Sequence, residues 1–160
     1  METLLSLAFI LALGAAPALA QEFKTGDIVV EKAWARATPK GAEVGGGYLT
    51  VHNNGATAVR FTGGSADFAH VEVHEMSMAG GVMKMRAVKD GLEIPAHGAV
   101  TLAPGGYHLM FTGLKQPLRQ GDTIKATLDF PPAGSIVVDF AVRGIGAAAP
   151  ADDMKGMKMN

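Results

Sequence analysis

The chain has 160 residues, a formal net charge of -1 at pH 7 and no cysteine. That length suits one domain with a real core, and a near-neutral chain without a basic stripe gives no support for nucleic-acid binding. The lack of cysteine excludes a disulfide framework, a thiolate metal site and a thiol nucleophile.

The first element, METLLSLAFILALGAAPALA over 1–20, carries a short apolar run from Leu4 to Leu13 and an A-x-A pattern at Ala18-Leu19-Ala20. It reads as a secretory signal peptide cleaved after Ala20, although its n-region holds Glu2 and no Lys or Arg. Loss of Glu2 takes the formal charge to zero. No cysteine follows the cleavage site, so neither a lipoprotein anchor nor another stable membrane anchor is expected.

Beyond the leader, Gly- and Pro-rich turns separate short runs of β-branched and aromatic residues, and no amphipathic stretch of helical length is present. In chain order the expected strands are IVVEKAWARA (28–37), GGYLTVHN (46–53), TAVRFTGG (57–64), FAHVEVHEM (68–76) and VMKMRAV (82–88). LEIP (92–95), AVTLAP (99–104), YHLMFTG (107–113), DTIKATLDF (122–130) and SIVVDFAVR (135–143) follow. Asn53-Asn54-Gly55, Gly63-Gly64, Gly80-Gly81, Asp90-Gly91, His97-Gly98 and Pro104-Gly105-Gly106 are among the expected turns, and 38–45 is an irregular loop. Strands at this spacing indicate an all-β sandwich or barrel. One domain is expected over 21–146, with no internal repeat. GIGAAAPADDMKGMKMN, from Gly144, loses the pattern, and 147–160 reads as a flexible tail carrying Met154, Met157 and Met159.

Two segments concentrate metal-binding side chains. In HEMSMAGGVMKM (74–85), a two-residue turn at Gly80-Gly81 pairs Ala79 with Val82, Met78 with Met83 and Met76 with Met85. Strand parity then puts His74, Met76, Met78, Met83 and Met85 on one face and Glu75, Ser77, Lys84 and Arg86 on the other. A half-buried hairpin alternates apolar and polar residues anyway, so a Met stripe alone is accounted for by packing; His74 within it is not. The alternation of Val71 and Val73 with Glu72 and His74 makes the valine face the core side, so the hairpin tip is expected to extend past the core. In YHLMFT, Tyr107, Leu109 and Phe111 point to the core, leaving His108 and Met110 on the outer face. Imidazole with neutral, soft thioether sulfur suits Cu(I) far better than Zn(II) or Mg(II), and a blue-copper redox centre needs a Cys thiolate.

His74, ten residues, Met85, twenty-two residues and then His108-Leu109-Met110 resembles the signature of the periplasmic copper chaperone family PCuAC, in which the second gap is about twenty-one. VEVHEMSMAGGVMKMRAV, LEIPAHG and LAPGGYHLMFTGLKQPLRQGD are similar to that family as well, over roughly 28–143. The resemblance implies a cupredoxin-like Greek-key β-sandwich and Cu(I) ligands His74, Met85, His108 and Met110. It also implies delivery of copper in the periplasm to cytochrome c oxidase, at the binuclear copper site of its subunit II, alongside Sco-type thiol proteins. Some family members bind further copper on a His- and Met-rich tail. Here the tail has Met154, Met157 and Met159 but no histidine, which fits Cu(I) rather than Cu(II). Met76, Met78 and Met83 are auxiliary ligand candidates, Met76 foremost, or a shield for the metal.

His70 is a weaker candidate on the His74 face. His52 and His97 read as solvated surface histidines and Trp34 as core, while Glu72 and Glu75 are the candidates to orient His74, a choice the sequence leaves open. No catalytic arrangement is present, and a non-enzymatic monomer is expected. The same ligands would serve copper buffering or resistance, and a secreted adhesion module with a Met-rich patch is the alternative without metal.

Overall fold

The computed structural model describes residues 21–149. The expected leader and the tail methionines Met154, Met157 and Met159 lie outside the described residues. The elements are β1 (Glu22–Thr25), β2 (Ile28–Arg36), β3 (Val44–Asn53), β4 (Val59–Phe61), β5 (Gly63–Ala66), β6 (Ala69–Ala79), β7 (Val82–Ala87), β8 (Leu92–Ile94), β9 (Gly98–Leu102), β10 (Tyr107–Thr112), β11 (Thr123–Phe130) and β12 (Gly134–Arg143). The fold is a single all-β domain, as the run-and-turn pattern predicts. β1 escaped the pattern because EFKT is too short to show an alternation; it turns back on β2 at Gly26.

Of the sandwich or barrel that the strand spacing allows, the structure has a closed, barrel-like sheet rather than the Greek-key sandwich that the resemblance implies. Hydrogen-bonded neighbours run β2-β12-β11-β5-β6-β10-β3, and β3 pairs again with β2, giving a barrel-like ring. Two local features permit closure. Between Glu31 and Trp34 the β2–β3 register shifts, with Lys32 at a φ of 55°, so β2 bends while pairing β3 on one side and β12 on the other. The second is β5, whose Gly63-Gly64 reads in sequence as a turn. It forms instead a narrow strand between β11 and β6. A Cβ on Gly64 would collide with the Thr127 carbonyl, and one on Gly63 would lie 2.5 Å from the Val71 carbonyl. Only glycine lets these backbones approach closely enough to join the halves.

Three ring strands outrun the barrel and take a second partner along the same edge: β2 takes β1, β3 takes β9 and β6 takes β7. Alternate residues fill the interior, among them Val30, Leu49, Val71, Leu109, Phe111, Leu128 and Phe140. β4 and β8 form a separate ribbon, and Phe61 stacks on Phe130 with ring centroids 4.7 Å apart. Trp34 is buried, as expected, with its ring 4.4 Å from that of Tyr48.

Candidate metal centre

The β6–β7 hairpin has the predicted register. Ala79 faces Val82, Met78 faces Met83 and Met76 faces Met85. Gly80 and Gly81 both take left-handed φ values, 59° and 78°, which a tight two-residue turn requires. All of β7 is exposed, so the tip does project past the core. On the face away from the methionines, Arg86 donates from Nε and Nη2 to Glu75 Oε2 at 3.0 and 2.8 Å. Tyr107, opposite Glu75 on β10, joins this pair. Glu75 is thus engaged on the far side and does not orient His74.

β10 lies against the other edge of β6 and sets His108 directly opposite His74 and Met110 opposite Glu72. The imidazole centroids are 5.9 Å apart. Each ring has one nitrogen engaged. His108 Nδ1 lies 3.1 Å from the Gly106 carbonyl, to which it donates, leaving the Nε2 lone pair free. His74 Nε2 lies 2.8 Å from Glu72 Oε2. His74 Nδ1 is buried and has no hydrogen-bond partner. Burial lowers the His108 pKa below its ordinary 6.5; the Gly106 hydrogen bond raises it and nearby His74 lowers it.

His108 emerges on the outer wall, as parity predicts, yet it is only 7 % exposed. The site on this outer face is therefore a walled one. A cleft of about 410 Å³ holds His108, Met110 and Met76, bounded by Tyr48, by Pro104-Gly105 and by Arg36. Met110 faces Gly46 on β3, and the Tyr48 ring lies over that glycine, where an added Cβ would sit 3.0 Å from the phenolic oxygen. Ile145 closes one side, and Arg36 Nε donates to the Ala147 carbonyl at 2.8 Å, tying the start of the expected tail to the barrel. Met85 is on the His74 face, diagonal to it, but is 51 % exposed and outside the cleft lining. Met78 and Met83 are farther toward the tip and exposed. His70 is exposed on the same face as His74. His97 is exposed in its turn, at a φ of 51°. His52 departs from expectation: its Nε2 is 2.9 Å from Glu31 Oε1 across β2 and β3. The cleft wall was not legible in sequence, because Tyr48, Arg36, Pro104 and Ile145 meet only through strand register.

The family model described as "Putative lipoprotein LpqE-like" matches residues 28–142. The chain belongs to that family. Solved structures similar to the chain include the PCuAC domains of PmoF1 and PmoF2, so the resemblance to that family is borne out. The LpqE-like chain is 34% identical over 122 residues to "Putative lipoprotein Lxx21020" of Leifsonia xyli subsp. xyli (strain CTCB07), covering 76% of this chain and 72% of the relative. The copper-bound PCuAC domain from PmoF2 superposes with a TM-score of 0.64 at 30% identity, over 78% of this chain and 98% of that one. The solution structure of Cu(I)-bound DR1885 from Deinococcus radiodurans matches with a TM-score of 0.56 at 26% identity, over 84% and 87%.

Proposed function

We propose that this LpqE-like protein is an extracytoplasmic Cu(I) chaperone that carries copper on His74, Met85, His108 and Met110. The observation that carries the reading is the β6–β10 register, which sets two imidazoles opposite one another with one nitrogen of each free of hydrogen bonds. Met110 is on the same wall and Met85 on the adjoining hairpin. The donor set is neutral and soft, as Cu(I) prefers, and it contains no thiol to be lost to oxidation outside the cytoplasm. Relatives named as copper-bound support the choice of metal.

The graded exposure of the ligands suits delivery. His108 is enclosed, whereas Met85 lies open on a hairpin that both faces leave to solvent. An entering acceptor ligand would replace Met85 first, and copper would remain held by the inner ligands until the second bond formed. The acceptor we propose is the binuclear copper site of cytochrome c oxidase subunit II, directly or through a Sco-type thiol protein.

Competition titration of the mature chain with a Cu(I) chelator tests the site. One tightly bound Cu(I) per chain is expected, retained when 150–160 is removed. His108→Ala combined with Met110→Ala should abolish it; unchanged affinity in that variant would falsify the assignment. Delivery is tested in a deletion strain grown at low copper, where oxidase activity should fall; copper sensitivity with intact oxidase activity would instead indicate buffering.

A further inference from the structure

We infer that Glu72 is a positioning residue that holds His74 as its Nε2–H tautomer, so that His74 offers copper Nδ1 while His108 offers Nε2. The inference rests on the proposed copper reading and concerns the same site.

The argument begins with strand parity. Glu72 and His74 are two residues apart on β6 and share its outer face. Glu72 Oε2 is 2.8 Å from His74 Nε2. An ionised carboxylate can only accept, so in the neutral ring the proton belongs to Nε2 and the lone pair to Nδ1. Nδ1 is also the one buried side-chain nitrogen or oxygen among the described residues without a hydrogen-bond partner. A buried acceptor with nothing to accept from is unfavourable in the free protein, and a bound cation would satisfy it.

His108 is held the opposite way round. Its Nδ1–H is directed at the Gly106 carbonyl, and Nε2 carries the lone pair. Two facing histidines on adjacent strands therefore present different nitrogens, each set by a separate hydrogen bond. The bond to Glu72 adds something that the carbonyl does not: a negative charge behind the imidazole, which balances the charge of Cu(I). Glu75, the other carboxylate near His74 in sequence, is paired with Arg86 on the opposite face and cannot substitute. Glu72 is itself exposed, so its replacement removes little packing.

The test is long-range 1H–15N correlation on 15N-labelled protein, at a pH above the imidazole range, before and after addition of Cu(I). The apo protein should show a protonated Nε2 and an unprotonated Nδ1 at His74, and Cu(I) should shift Nδ1 at His74 and Nε2 at His108. Glu72→Ala should give mixed tautomers at His74 and weaken Cu(I) binding by roughly ten- to a hundred-fold. Glu72→Gln, which can still accept from Nε2–H, should restore most of both. A protonated Nδ1 in the apo wild type, a Cu(I) shift at His74 Nε2, or a Glu72→Ala protein with unchanged tautomer and affinity would each overturn the proposal. A His74 that shows protonated Nε2 in a chain that takes up no Cu(I) would support the role of Glu72 and overturn the copper reading, so the two failures are separable.

Discussion

His108 is the most enclosed of the four proposed ligands, and its environment has a consequence for stability as well as for copper. Burial lowers its pKa from 6.5, so the unfolded chain takes up a proton at this position before the folded one does. Stability contributed by the neutral, buried ring is full above the unfolded pKa and is lost as pH falls below it. The apo protein should lose resistance to urea as pH falls below about 6.5, and His108→Gln should flatten that slope. Equal slopes in the two proteins would mean that His108 is not the titrating group. At this scale the sequence was informative about residue types. His-x-Met on one strand marks two outward donors by parity alone. Which nitrogen each imidazole keeps free was not legible, because it depends on a carbonyl in the 104–106 turn and on choosing Glu72 over Glu75.

The β6–β7 hairpin shows how far a local pattern can reach. Gly-Gly at the turn fixes the register, and the register fixes the face, so the pairing of Met76 with Met85 follows from the sequence. The hairpin leaves one choice open. The family signature selects Met85, yet Met76 lies in the cleft beside His108 and Met110. Leucine nearly conserves the volume of methionine and removes only the sulfur donor. Met85→Leu is expected to weaken Cu(I) binding by roughly ten-fold or more, and Met76→Leu by less. The reverse order in a competition titration would assign the ligand to Met76 and leave Met85 as a shield. On the opposite face, the Glu75–Arg86 pair is largely exposed at the arginine, so it orients the hairpin more than it stabilises the fold.

For the whole molecule, closure of the ring is the deciding event, and β5 makes it. Gly64→Ala would drive a methyl into the Thr127 carbonyl, between two backbones that are both tied into the sheet. The expected cost is at least ~1–3 kcal/mol, seen as a lowered Tm. Gly106→Ala is the control: its Cβ would meet nothing nearer than the Ala103 carbonyl at 3.8 Å, and little change in Tm is expected. A Gly64→Ala protein as stable as the wild type would show that β5 can move outward and that closure does not depend on the glycine.

By itself, the sequence determined the all-β class, the buried alternation, the hairpin register and the outward placement of His74, His108 and Met110. Each of these depends on neighbours along one strand or across one turn. Tertiary structure alone decided that the sheet closes and that His108 is enclosed. Those outcomes depend on residues distant in the chain coming together, Gly64 against Thr127 and Tyr48 over Gly46 beside β10. No periodicity encodes them, because they follow from how closely one backbone can approach another.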